Sequence, residues 1–251
     1  MPSLPVSCFD LPHTLYCGQL FRVRQVGDWH YVTASDKLFR VRQRDDILDF
    51  DGADKAFLTH FLALDLPLPR ILKAISRDPV TRAAVRRYQG LRLVRQNPWE
   101  CLVSFLCSSA SNIPKITRNV NALAATFGHE LRLGDVKSHS FPPPGSLGNE
   151  RELRALGLGF RAEFVAEANR RVTDGYLASL RRLPYAEAKR ELMQLHGVGE
   201  KVADCVLLFS LGFWEAFPVD RWVRRVMSEA YFRGRKVSDA QIRAFAAHRF
   251  G

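Results

Sequence analysis

Between residues 17 and 43 apolar and aromatic residues come in short runs broken by turn residues. Leu20, Phe21, Val23 and Val26 precede Gly27-Asp28. Trp29, Tyr31 and Val32 precede Ser35-Asp36-Lys37, and Leu38, Phe39 and Val41 follow it. Runs of this length, rich in β-branched and aromatic residues, predict an antiparallel meander. From about Asp54 the spacing becomes helical: Phe57, Phe61, Leu62 and Leu64 lead to Pro67 and Pro69, then Ile71, Leu72 and Ile75 lead to Asp78-Pro79. No Gly/Ser linker marks the change, so two subdomains packed together are expected, a β-rich one over 1–96 with flanking helices and a helical one over 97–251.

Within the second part, Asn97-Pro98-Trp99-Glu100 predicts a helix start, with Asn as cap, Pro at the first position and Glu three residues after the cap. Leu102, Val103, Phe105 and Leu106 make that helix apolar around most of its circumference, which places it centrally in a core. Asn112 caps a second helix bearing Ile116, Val120, Leu123 and Phe127, ended by Gly128. The two are expected to be antiparallel neighbours. Phe141-Pro142-Pro143-Pro144-Gly145 is a rigid loop, and Glu150 to Leu156 a short helix stopped by Gly157. Gly157-Leu158-Gly159-Phe160-Arg161 then turns tightly into a helix carrying Phe164, Val165, Ala168 and Val172. No strand precedes this G-x-G, which argues against a dinucleotide-binding fold.

Charge narrows the partners. In 251 residues, Lys plus Arg number 37 and Asp plus Glu 26, a net charge of +11, which favours a polyanion such as nucleic acid. The cluster Arg82, Arg86, Arg87, Arg92 and Arg95 reads as a solvated face. Arg221, Arg224, Arg225, Arg233, Arg235 and Lys236 form the densest basic stretch, with only Glu229 among them to oppose it. Five scattered cysteines, Cys8, Cys17, Cys101, Cys107 and Cys205, show no metal-site spacing, so no metal and a reducing intracellular compartment are expected. No run approaches a membrane span and the N-terminus lacks an export signal.

The candidate chemistry lies late in the chain. Pro184 starts a helix through Leu192 and Leu195, His196-Gly197-Val198-Gly199 turns it, and a second helix runs from Glu200 to about Leu211. Two glycines one residue apart let the backbone approach a ligand closely, and the helix N-terminus offers free amides, an arrangement suited to phosphate. Val198 is expected to point inward. Lys201, Cys205 and Phe209 line one face of the second helix, with Val202 and Val206 on the packing side. Lys201 has two readings: a surface lysine paired with Asp204, or an amine nucleophile in the first turn, where the dipole disfavours its charged form. Asp220, in Phe217-Pro218-Val219-Asp220, reads as the N-cap of the helix carrying Trp222, Val223, Val226 and Met227, a role compatible with holding a rigid, ionised carboxylate at a site.

GVGEKVADC with FPVD resembles the helix-hairpin-helix DNA glycosylases, and in detail the 8-oxoguanine DNA glycosylase/lyases. Cys17-Gly18-Gln19-Leu20-Phe21-Arg22, Asn97 to Ser109 and Leu156 to Arg161 extend the match over nearly the whole chain, in order, nearest to bacterial-type members. The resemblance implies an α+β fold: an N-terminal antiparallel β-sheet subdomain, TBP-like, packed on an all-helical helix-hairpin-helix body with its hairpin over 184–211. It also implies a monomer without cofactor that acts on double-stranded DNA containing oxidised guanine and flips the damaged base into a cleft. Lys201 would be the nucleophile at C1′ that forms a Schiff base, and Asp220 would stabilise the charge developing on the sugar. Gly197, Gly199 and Val202 would hold a phosphate through the backbone. Gly18 would accept from the N7–H that only the oxidised guanine carries, with Cys205 and Phe209 in the base pocket. Phe160 would wedge the stack, and Arg161, Asn112 and Lys115 would face the opposite base.

The same resemblance exposes departures. Ala110-Ser111-Asn112 stands where eukaryotic members have three asparagines, and Lys115 replaces an arginine that reads the opposite base, so opposite-base selectivity is expected to be relaxed; separately, Trp222 stands where they carry a phosphate-contacting histidine. The sequence reaches His248-Arg249-Phe250-Gly251 about where members continue into a helix that supplies a glutamine and an aromatic to the pocket. Two other readings stay open: a glycosylase of the superfamily for another lesion, and a non-catalytic helix-hairpin-helix DNA-binding module, which has no use for Lys201 and Asp220.

Overall fold

The meander forms, and it is one part of a larger sheet. In the computed structural model, which describes residues 1–173 and 175–250, β1 (Ser3–Pro5) and α1 (Leu11–Tyr16) come first. Then come β2 (Val23–Val26), β3 (Trp29–Ala34), β4 (Lys37–Arg44) and β5 (Ile47–Asp51), all antiparallel in the order β1-β5-β4-β3-β2. Register places Val32 opposite Phe39 and Val41 opposite Phe50, so one face is continuously apolar. It packs on α2 (Lys55–Phe61), whose cap Asp54 accepts from the Phe57 amide at 2.7 Å. The other face carries Arg40 and Arg42 over the Trp29 ring, at 4.8 and 4.6 Å.

The pattern expected strand from residue 17; residues 17–22 instead form a loop. Gln19 is buried there and replaces ladder pairing with its own bonds: its amide donates to the Thr14 and Arg92 carbonyls, each at 2.8 Å, and accepts from the Val94 amide at 2.9 Å.

After α3 (Leu68–Ile75) and α4 (Pro79–Arg87), both largely exposed, the chain enters the helical part through α5 (Pro98–Leu106). Every residue from Trp99 to Leu106 is buried, as the all-round apolar pattern requires. Asn97 caps it, accepting from the Trp99 and Glu100 amides. Glu100 does not complete a reciprocal cap. Its carboxylate accepts from Arg22 Nη1 at 3.1 Å and from the Ser35 amide at 2.6 Å, tying α5 to the sheet. Burial raises its pKa, and Arg22 opposes that shift.

Next come α6 (Ile113–Phe127) and a hairpin absent from the sequence reading, β6 (Glu130–Leu133) with β7 (Val136–His139), whose Ser138 hydroxyl meets that of Thr33 on β3 at 2.7 Å. Gly128 is not left-handed at φ −95°; a side chain there would run into the Ser140 carbonyl, so close backbone approach is what requires it.

Then follow α7 (Glu150–Ala155), α8 (Arg161–Arg171), α9 (Tyr176–Ser179), α10 (Tyr185–Leu192) and α11 (Glu200–Val206), which continues as a π-helical turn over Leu207–Leu211. They share one large core with α5 and α6. Finally α12 (Arg221–Tyr231) and α13 (Asp239–Phe250), the latter not anticipated, pack around a separate small core of Val219, Met227 and Ile242. Asp78, the cap of α4, accepts from Arg249 Nη2 at 3.2 Å and Tyr231 Oη at 3.3 Å, so this pair of helices leans back on the N-terminal part. Among the described residues no helix is long and apolar enough to cross a membrane.

Candidate active site

The turn between α10 and α11 is built by two glycines with different jobs. Gly197 has φ +84°, and a Cβ on it would overlap the Phe164 ring, so both conformation and space demand glycine. Gly199 caps α11 with φ −87°, and a Cβ there would meet nothing within 4 Å. It faces open space. The first helical bond of α11 is from the Ala203 amide to the Gly199 carbonyl at 2.9 Å, so the amides of Glu200, Lys201 and Val202 precede the helical ladder. Val198 and the Val202 side chain are buried beneath, as predicted for Val198.

The back of the hairpin is locked by Asp204, fully buried on α11. It accepts from Tyr185 Oη at 2.7 Å and Lys189 Nζ at 3.0 Å, both on α10. Burial pushes its carboxyl upward while these two donors oppose the shift. This corrects the surface reading of Lys201, because the carboxylate offered as its partner belongs to Lys189.

Lys201 turns the other way. Its Nζ donates to Ser108 Oγ at 2.9 Å, just beyond the end of α5, and lies 4.9 Å from the centre of the Phe105 ring. Phe105 stacks on Phe209 at 5.6 Å and 18°, and meets Phe21 edge-on. The Phe209 carbonyl accepts from the Gln96 amide at 2.9 Å, and the Gln96 side chain donates to the Gln19 carbonyl at 2.8 Å. Beside Gln19 sits Gly18, at φ +90°, and among the described residues no donor occupies its carbonyl. Lys201, Phe105, Phe209 and the Gly18 loop are thus joined by direct contacts.

Cys205 is buried next to this group. Desolvation raises its thiol to about 12; Lys201 draws it down, and Asp204 and Asp220 push it up. It stands as a neutral wall. Asp220 caps α12 by accepting from the Trp222 amide at 2.9 Å and the Val223 amide at 2.8 Å, which fixes the carboxylate on a helix N-terminus. Among the described residues Lys201 forms no ion pair with it.

At the start of α8, Phe160 is half exposed, with its ring edge-on to Phe164, which in turn meets the His196 ring at 4.8 Å. The candidate wedge is therefore mounted on the hairpin turn. Arg161 is buried. Its guanidinium lies 4.4 Å from the Phe160 ring centre and donates to the Ser109 carbonyl and, at 2.7 Å, the Ala110 carbonyl. It holds the loop before α6 from inside. That loop includes Ala110 at φ +46° and ends on Asn112, which accepts from the Lys115 amide at 3.0 Å while the Lys115 side chain is exposed.

The basic stretch on α12 is less open than its sequence suggests. Arg224 pairs with Asp239 through two bonds of 2.7 and 2.8 Å, and Arg225 pairs with Glu229. Among the described residues Arg221, Arg233, Arg235 and Lys236 remain unpaired, the first and last lining a depression of about 270 Å³. No cluster of His, Cys, Asp and Glu suited to a metal occurs among the described residues, and all five cysteines are free.

With this geometry in place, the comparisons with known proteins are decisive. Residues 3–102 match the family model for the N-terminal domain of 8-oxoguanine DNA glycosylase. An N-glycosylase/DNA lyase of Saccharomyces cerevisiae is 34% identical over 255 residues, covering 88% of this chain and 68% of that protein. The chain belongs to the 8-oxoguanine DNA glycosylase family. An Arabidopsis thaliana N-glycosylase/DNA lyase of this family is 36% identical, covering 86% of this chain and 64% of its own length. The Clostridium acetobutylicum 8-oxoguanine glycosylase/lyase, solved with double-stranded DNA containing cytosine opposite 8-oxoguanine, superposes with a TM-score of 0.92 at 30% identity, over 97% of this chain and 87% of that one. The α+β fold of a family member is what the helices and the five-stranded sheet form.

Sequence reasoning missed two site residues. Ser108 carries no signal in a sequence, being one of two adjacent serines, and Phe105 was read as core alone. Only the fold shows that both meet Lys201.

Proposed function

We propose that this protein excises 8-oxoguanine from duplex DNA and then cuts the strand by β-elimination. The observation that carries the reading is the position of the Lys201 amine: in the first turn of the helix whose N-terminus is open for a phosphate, and against the Phe105, Phe209 and Cys205 wall. A phosphate at the amides of Gly199 to Val202 brings the next sugar to the lysine. The neutral amine forms a bond to C1′ as the glycosidic bond breaks, and the base leaves with the bonding pair and acquires a proton. Positive charge developing on the sugar faces the fixed Asp220 carboxylate. Ring opening yields an iminium; loss of a C2′ proton then expels the 3′ phosphate, and water releases the lysine.

In this reading Gly18 offers its carbonyl to the lesion's N7–H, Phe160 enters the stack, and Asn112 and Lys115 lie on the opposite-base side. Arg161 shapes that side by holding the Ser109 and Ala110 carbonyls. The β-rich part, 1–96, and the helical part, 97–251, supply the two sides of the cleft, the protein works as a monomer without a cofactor, and its place is with the chromosome, in a bacterial nucleoid or a eukaryotic nucleus. Borohydride reduction on a lesion-containing duplex tests the reading. A covalent adduct is expected, and none with Lys201→Gln. Absence of the adduct in the native protein, or its survival in the variant, refutes the proposal.

A further inference from the structure

Lys201 makes a single hydrogen bond among the described residues, and its partner has no choice of role. The Ser108 hydroxyl donates to the Phe105 carbonyl at 2.6 Å, so its proton is committed and its oxygen can offer only lone pairs to Lys201 Nζ at 2.9 Å. The Phe105 carbonyl belongs to the last turn of α5, where no helical amide follows to satisfy it fully, and the Ser108 amide also donates to it, at 3.1 Å. The hydroxyl is therefore fixed from the helix backbone and not free to rotate. On its remaining side the amine faces the Phe105 ring.

We propose that Ser108 is a positioning residue for the nucleophile, orienting the Lys201 amine by accepting one of its N–H bonds. A neutral amine has two N–H bonds and one lone pair. Without a fixed acceptor it rotates about Cε–Nζ and the lone pair sweeps a cone. With one N–H held by Ser108 and the ring closing another direction, the lone pair is turned toward the cleft. A hydroxyl that donated to the amine would occupy the lone pair and block attack; the bond to the Phe105 carbonyl excludes that arrangement. Ser108 contacts neither base nor sugar in this arrangement and acts only through the lysine. Arg161 adds rigidity one residue away, because its guanidinium holds the Ser109 and Ala110 carbonyls.

The inference rests on Lys201 being the nucleophile, and the experiment separates the two. Native protein, Ser108→Ala and Ser108→Thr are compared on the same 8-oxoguanine duplex by single-turnover excision, borohydride trapping, binding to an uncleavable abasic-analogue duplex, and thermal melting. Loss of one orienting hydrogen bond predicts a single-turnover rate roughly tenfold lower for Ser108→Ala, with binding unchanged within about twofold, since no DNA contact is removed. Ser108→Thr keeps the hydroxyl and restores most of the rate. A merely structural serine would lower melting temperature and binding together and gain nothing specific from threonine. Ser108→Ala with the native excision rate, or with rate and binding reduced in parallel, overturns the inference while a native adduct leaves the lysine chemistry standing; no adduct from native protein overturns both. Should Ser108→Ala fail to fold, Ser108→Cys, whose weak, longer thiol contact cannot reproduce the acceptor, carries the same expectation.

Discussion

The two glycines of the hairpin turn are a built-in control for each other. Replacing Gly197 by alanine forces an L-residue into the left-handed region at φ +84°, which costs roughly 1–2 kcal/mol. It also drives a Cβ into the base of the Phe164 ring, where the nearest atoms are Cβ and ring carbons that cannot swing aside. Overpacking of that kind costs about 1–3 kcal/mol, giving about 2–5 kcal/mol in all. For a chain of this size, roughly 2–4 °C per kcal/mol translates this into a fall of about 4–20 °C in melting temperature. Gly199→Ala is the opposite case. Its φ of −87° suits alanine and the new methyl meets no protein atom, so stability falls by under about 1 kcal/mol, for the poorer cap. The methyl does occupy the space through which a phosphate reaches the first amides of α11. Affinity for an abasic-analogue duplex should fall roughly tenfold, the loss of about one good hydrogen bond, with an unchanged slope of log affinity against log salt, since no cation has been removed. Calorimetry and fluorescence anisotropy over a salt series read both. Gly197→Ala melting within about 2 °C of native, or Gly199→Ala binding the duplex like native, would refute the assigned roles.

Other expectations are equally direct. Asp220→Asn keeps a capping side chain and hence the fold, but removes the charge facing the sugar; single-turnover excision should fall about 10²–10³-fold with a melting temperature within about 2 °C of native. Asp78 has its pKa lowered, first by the Thr81 amide and also by Thr81, Arg249 and Tyr231 side chains. A depressed carboxyl contributes stability above its unfolded pKa, near 3.9, and loses it as pH falls through the folded value. Unfolding free energies of native and Asp78→Ala from urea titrations should therefore differ at neutral pH by at least the cap, about 1 kcal/mol, and converge as pH falls through the folded value; a constant gap would contradict the assignment. Because desolvation raises Cys205 and Cys107 each to about 12, the folded protein at pH 8 should leave both unalkylated by iodoacetamide in peptide mapping, while unfolded protein is modified at every cysteine.

What could be read in the sequence was what local chemistry determines. The Asn97, Asn112 and Asp220 caps, the inward Val198 and the meander from Trp29 onward follow from residue types a few positions apart, and they appear where expected. Long-range partners were not legible. Glu100 looks like the closing residue of a capping box by spacing, yet Arg22, 78 residues away, takes it. Asp204 looks like the partner of Lys201 one turn earlier on the same helix, yet the lock to Lys189 lies across the hairpin. The β6–β7 hairpin was hidden because its strands are four residues each and half exposed: Glu130-Leu131-Arg132-Leu133 alternates over only two apolar residues, and Val136-Lys137-Ser138-His139 carries one. The Leu20-Phe21 segment has strand-like residues and was assigned as such, but a buried glutamine determines its path. Ser108 was invisible for a simpler reason: its role is a distance, and a serine looks the same in sequence whatever it touches.

The alignment of Lys201, Cys205 and Phe209 shows how a local departure from the pattern completes the site. Four residues of regular α-helix advance about 40° beyond a full turn, so over eight residues Phe209 would drift about 80° from the direction of Lys201. That would carry its ring off the face that Phe105 occupies. The π-helical turn over Leu207–Leu211 underwinds the helix just where the second four-residue step is taken, which turns Phe209 back toward Phe105 and onto the stack at 5.6 Å. The helix ends at Leu211, with Gly212 left-handed at φ +83°, so the carbonyls of its last turn have no amide four residues on. The Phe209 carbonyl takes the Gln96 amide and the Ser210 carbonyl takes Arg181 Nη2, each within 2.9 Å. A carbonyl of the last helical turn is thus what connects α11 to Gln96, and Gln96 to the loop that presents Gly18. Restoring a regular α-helix there would swing Phe209 away from Phe105 and Gln96 together, because the stacked ring and the accepting carbonyl belong to the same residue.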